Sequence, residues 1–186
     1  MIKTVINRIR EELKTIFGEI DNWFDVEETL LNYDPKNDGW SIRKILEHIS
    51  LTNHFLLILI RKGTVKSLEK AKTTNFSEIL TDYDLDWNKL NQIGEHKSFE
   101  WNRPEHMAPG GNTEMIIVRN KLYGQLSECI DILNVLRNGE GVLYQTMMSV
   151  NKLGKIDVYH YIYFLAQHAK RHLIQMNKVK IESENK

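Results

Sequence analysis

The chain has one cysteine, Cys129, among its 186 residues, so no intrachain disulfide framework can staple the fold. That suits a reducing compartment. Excess charge is also missing: 25 Lys and Arg balance 25 Asp and Glu. Affinity for a nucleic-acid backbone comes largely from clustered positive charge, so a general polyanion binder is excluded. Long apolar runs are absent too, since the most apolar stretch, "FLLILI" at 55–60, is far too short to span a bilayer. The first segment, "MIKTVINRIREELKTIF", alternates charged and apolar residues where a signal peptide needs a continuous apolar core. No alternating strand pattern, internal repeat or low-complexity tract competes with the helical pattern described next. These absences leave a cytoplasmic protein with small-molecule or protein partners, no nucleic acid and no membrane.

What is present is helical periodicity. The composition, 41% hydrophobic and 27% charged, is ordinary for a globular chain long enough to bury one core, and a single domain over 1–186 is expected. Val5, Ile9, Leu13, Ile16, Ile20, Trp23 and Phe24 advance in steps of three and four, which is one face of a helix. Pro35 and Asn37-Asp38-Gly39 are turn chemistry, so this first helix is expected to end near Asn32. Ser41 is placed to cap a second helix, "IRKILEHISLTNHFLLILIR", which should stop near Gly63. Residues 64–111 have little period. "SEILTDYDLDWNKLNQIG" has room for a short helix, and "HKSFEWNRPEHMAPGG" reads as a long loop. A third helix begins around Thr113, carries Met115, Val118, Leu122, Leu126, Cys129, Leu133 and Leu136 on one face, and ends at Asn138-Gly139. After a looser connection, "EGVLYQTMMSVNKLG", Asp157 is positioned to cap a fourth helix through Tyr161, Leu165, His168, His172 and Gln175. The last residues, "IESENK", should fray. Four such helices predict an all-α four-helix bundle with its longest crossover between helices 2 and 3.

Within the fourth helix, "FLAQHAKRHLIQM" (164–176) places two histidines four residues apart. Such residues are offset by only about 40° and one turn, so His168 and His172 can aim at one point and share a metal ion. Hydrogen-bonded histidines without a metal are the alternative. The glutamate that zinc proteases carry beside the first histidine is missing, because the sequence reads His-Ala-Lys-Arg-His, and a protease mechanism does not follow. Two ligands under-coordinate a divalent ion. Among the other histidines, His48 is the best geometric candidate for a third, since it shares a face with Ile45, Thr52 and Phe55. His54 faces elsewhere, His160 is rotated about 120° from His172, and His96 and His106 fall in the loop.

Three stretches together resemble the DinB/YfiT-like superfamily: "GWSIRKILEHISLTNHF" (39–55), "NRPEHMAPGGNTEMI" (102–116) and "DVYHYIYFLAQHAKRHLIQM" (157–176). The resemblance covers nearly the whole chain in order. It implies a four-helix bundle with a long crossover and a divalent ion, nickel or zinc, held by His48, His168 and His172. Characterised members are thiol-dependent enzymes or metal-dependent hydrolases, including bacillithiol S-transferases and mycothiol-dependent maleylpyruvate isomerases. A metal-dependent enzyme acting on a small molecule is therefore expected, with water or a low-molecular-weight thiolate as nucleophile. A non-catalytic metal-binding bundle, or a homodimer built on an exposed helix face such as that of "FLLILI", is the alternative.

Other residues carry two readings each. Tyr161, on the His168 face, either lines the site or packs in the core with one satisfied hydroxyl. Gln175 either orients the His172 ring or is solvated. Thr52 shares the His48 face and is a candidate pocket residue. Glu47 is expected as a surface carboxylate or an outer partner of the site, and Arg171 as a partner for a carboxylate elsewhere. Trp101 and His106 are candidates for a pocket rim. Cys129, between Leu126 and Leu133, reads as a small buried hydrophobe rather than a nucleophile.

Overall fold

The apolar stripe of the first segment becomes the buried face of helix α1 (Ile2–Asp21), through Val5, Ile9, Leu13, Ile16 and Ile20. The computed structural model describes residues 2–36, 38–95, 98, 99 and 105–185, without the side chain of His106. Helix α1 ends at Asp21 rather than near Asn32. A 3-10 turn over Asn22–Phe24 and a short helix α2 (Glu28–Leu31) complete the segment. Asn22 and Asp25, residue types of low helix propensity, sit at the break. The Arg119 guanidinium grips Asp21 and Asp25 on either side of it, at 2.7 and 2.8 Å.

Helix α3 (Ile42–Ala71) starts as expected, with the Ser41 hydroxyl accepting from the Lys44 amide. It runs eight residues past the expected stop at Gly63. That glycine is buried in mid-helix, and a Cβ there would lie 2.8 Å from Val158 Cγ2. It serves close approach of two chain segments rather than helix termination. Gly63→Ala should accordingly destabilise the protein by about 1–3 kcal/mol through overpacking, although alanine is the better helix former. Urea unfolding at neutral pH measures this, and an unchanged or raised midpoint would contradict the packing account.

Two short helices follow, α4 (Ser77–Thr81) and α5 (Trp87–Gly94), the second capped by Asp86, which accepts from the Lys89 amide at 3.0 Å. Helix α6 (Met115–Val135) buries Val118, Leu122, Cys129, Ile132 and Leu133. Burial pushes the Cys129 thiol up to about 12, so it is protonated and inert at neutral pH. Gly139 takes the left-handed conformation, φ 101°, just beyond.

The connection to the last helix contains a hairpin that the sequence pattern did not predict. Strands β1 (Thr146–Met148) and β2 (Gly154–Ile156) pair antiparallel, with Met147 opposite Lys155. Three-residue strands are too short to print an alternation. Their turn uses positive φ at Asn151 and Lys152, and β2 opens on a third at Gly154.

Helix α7 (Val158–Glu184) continues through most of the tail expected to fray. The Asp157 carboxylate caps it by accepting from the His160 amide at 3.1 Å, and also accepts from the Tyr83 hydroxyl at 2.7 Å. The architecture is all-α apart from the hairpin. Helix α7 packs against α1, α3 and α5, while α6 packs against α1 and α3. Among the described residues, no helix is long and apolar enough to cross a membrane.

Candidate metal centre

Two helices supply three imidazoles to one point in the core. His48 lies two turns into α3, and His168 and His172 lie one turn apart on α7. The α3–α7 contact brings them together. All three are buried, at 5%, 3% and 6% exposure. Their ring centroids stand 4.6–5.2 Å apart, each pair edge to face.

Hydrogen bonds settle which nitrogens face inward. His48 Nδ1 lies 2.8 Å from the Met107 carbonyl, which can only accept, so that nitrogen carries the hydrogen. His172 Nδ1 lies 2.9 Å from Gln175 Oε1 and donates to it in this amide orientation. Both rings therefore present a bare Nε2. His172 Nε2 and His168 Nε2 stand 3.1 Å apart. His48 Nε2 is also 3.5 Å from the Thr52 hydroxyl.

This donor set fits a divalent ion. One nitrogen from each ring falls in a group whose members all lie within 4.8 Å of one another. Zinc–imidazole bonds of about 2.0–2.1 Å put tetrahedral ligand nitrogens about 3.3 Å apart, which the His168–His172 pair already matches. Protonation states agree. Burial pushes the His172 imidazole down to about 3, helped by charge on His48. Burial, then His172 and His48, holds His168 well below the usual histidine range. Both are neutral at physiological pH, the state a metal requires.

The remaining sequence candidates separate clearly. The Tyr161 hydroxyl accepts from Thr146 Oγ1 at 2.8 Å and donates to the Met147 carbonyl, tying α7 to the hairpin. His54 is exposed and edge-on to Phe55. His160 Nδ1 bonds Asp157 at 2.8 Å. Arg171 donates to the Glu95 carbonyl at 2.6 Å. Glu47 is not a surface carboxylate: it is 8% exposed and bonds to Gly111 and Thr113. His96, Trp101 and the His106 side chain lie outside the described residues. Two neighbours escaped the sequence reading. Trp40 packs its ring 4.7 Å from that of His48, and Met107 supplies the carbonyl described above. Trp40 immediately precedes the Ser41 cap, a position from which an aromatic can fold back on the first turns. Met107 left no comparable signal.

An all-α protein that gathers three buried imidazoles from two packed helices is of the class able to hold a divalent ion in its helical core. The chain belongs to the DinB superfamily, whose family model matches residues 8–176. No curated protein and no solved structure matches it.

Proposed function

We propose that the protein is a metal-dependent enzyme acting on a small molecule, with one divalent ion, zinc or nickel, held by His48, His168 and His172. The observation that carries this reading is the convergence of three buried histidine rings on one point, two of them with Nδ1 occupied by carbonyl-type oxygens. The four long helices, each packed on two others, support a four-helix bundle in which residues 72–114 form the crossover between the second and third long helices.

When bound, the ion would supply Lewis acidity, favouring the deprotonated form of a thiol or water at neutral pH. The chain's own residues define the surroundings. Gln175 and the Met107 carbonyl fix ring orientation and keep each Nε2 available. Three neutral ligands leave a divalent charge uncompensated, which suits an anionic fourth partner such as a low-molecular-weight thiolate. Trp40 packs an aromatic ring against His48, with ring centroids 4.7 Å apart. Thiol S-transfer and hydrolysis are the two reaction types this environment serves.

The test is metal analysis of protein purified without a metal-affinity step, followed by turnover of thiol–electrophile pairs and ester or amide substrates by the loaded form. Stoichiometric zinc or nickel with chelator-sensitive turnover is expected. Protein that takes up neither ion would overturn the reading. Metal without turnover, together with strong thermal destabilisation by chelator, would reduce the site to a structural staple.

A further inference from the structure

Helix α3 does more than carry His48. Its first three turns hold the stretch 107–113 through four side chains. The Glu47 carboxylate accepts from the Gly111 amide at 2.5 Å and from the Thr113 hydroxyl. Arg43, one turn earlier, donates to the Thr113 carbonyl at 3.4 Å. On the adjoining face, His48 donates to the Met107 carbonyl, and the Thr52 hydroxyl lies 4.0 Å from the Met107 thioether. Gly111 has φ 78°, and a Cβ on it would come 3.1 Å from the Lys44 side chain, so a glycine is what lets the strap lie this close.

Glu47 is the unusual member. A buried carboxylate is costly unless it is well hydrogen-bonded. Its position next to His48 invites a role as a metal ligand, yet successive helical residues point about 100° apart. Among the described residues, the donor group comprises the three imidazoles alone. Both of its oxygens are instead spent on the strap.

We propose that Glu47 is a positioning residue: it latches residues 107–113 across the histidine site, so that the Met107 carbonyl keeps His48 in its Nδ1–H form and ion exchange waits on release of the latch. This rests on the metal reading above for its exchange arm, but not for its tautomer arm. A carbonyl cannot donate, so a strap in place allows only one His48 tautomer, the one whose Nε2 is bare. With the strap released, that constraint on the His48 tautomer is removed.

The experiment compares wild type, Glu47→Ala, Glu47→Gln and Thr113→Val. In metal-free protein, nitrogen NMR of the His48 ring and amide hydrogen exchange over 107–113 report the latch directly. In zinc-loaded protein, transfer of zinc to a chelator reports exchange. Glu47→Ala should speed Gly111 amide exchange and zinc release by about tenfold or more, and give mixed His48 tautomers, as losses of outer partners commonly do to metal sites. Glu47→Gln should stay within about threefold of wild type, because its amide oxygen can accept from Gly111 while its NH2 donates to the Thr113 hydroxyl. A wild-type ring spectrum and release rate in Glu47→Ala overturn the proposal, as does a Glu47→Gln protein as impaired as Glu47→Ala. If wild type takes up neither zinc nor nickel, the metal reading fails, while the tautomer and exchange measurements still decide the latch. Should Glu47→Ala not fold, Thr113→Val carries the test: faster Gly111 exchange supports the latch, and unchanged exchange overturns it.

Discussion

Replacing both His168 and His172 with alanine should abolish stoichiometric zinc or nickel binding while leaving the helical content nearly unchanged. The two residues contribute two of the three donors in the centre, with Nε2 atoms 3.1 Å apart. Removing both leaves His48 as the single remaining donor of the cluster. Loss of even an outer partner commonly costs 10–100-fold in metal affinity, so loss of two ligands should exceed about 100-fold. The fold should tolerate it. Each deletion opens a small void, but it also removes a polar ring whose burial opposes its charged form. Titration calorimetry with zinc and elemental analysis measure the first effect, and far-UV circular dichroism the second. Full retention of metal in the double variant would dismiss the site. A His48→Ala variant should lose less, because the one-turn pair survives.

Much of this centre could be read from spacing. A four-residue step puts two side chains on one helical face whatever the fold, so the His168–His172 pair needed no tertiary information. Placing His48 beside them needed only the assumption that the apolar face of its helix points inward, and Ile45, Leu46, Ile49 and Thr52 are indeed buried around it. What spacing could not supply was any contact set by the irregular segments. Met107 and Gly111 reach His48 and Glu47 through a backbone path with no periodicity, and a carbonyl acceptor leaves no residue-type signature. Glu47 therefore looked like a surface or peripheral group until Gly111 and Thr113 were seen on it. Gly63 shows the opposite failure. Its intrinsic preference favours a helix end, and a tertiary need, room for Val158, overrides it. The β1–β2 hairpin went unseen because its turn rests on two positive-φ residues, Asn151 and Lys152, that are not glycine. The early end of α1 likewise lies in a stretch whose apolar step pattern runs on past Asp21.

The same burial that readies the centre for a metal makes the metal-free protein acid-sensitive in a window set by histidine. In the folded protein His172 is pushed down to about 3, and His168 lies well below its ordinary value. In the unfolded chain both return to about 6.5. Below pH 6.5 the unfolded state therefore binds protons that the folded state refuses, and stability falls with pH. This contribution is fully present above about pH 6.5 and is lost as pH drops toward the folded values. A histidine so shifted gives a slope approaching about 1.4 kcal/mol per pH unit, so His172 alone costs about 2 kcal/mol by pH 5, and His168 adds to it in the same direction. Against a typical total of about 5–15 kcal/mol, that is a large fraction. The carboxylates Glu12, Asp21 and Glu128 also have lowered values, through their lysine, glutamine and arginine partners. Their losses begin only near the ordinary carboxylate range, about pH 4.3 and below, so these carboxylates do not contribute to the fall between pH 6.5 and about 4.3. Urea unfolding of chelator-treated protein from pH 7.5 to 4.5 should show the midpoint falling steeply below 6.5. The His168→Ala, His172→Ala double variant should be nearly flat down to pH 5. Parallel curves for the two proteins would mean that these imidazoles do not resist protonation, and would remove the electrostatic basis for regarding them as ready-made ligands.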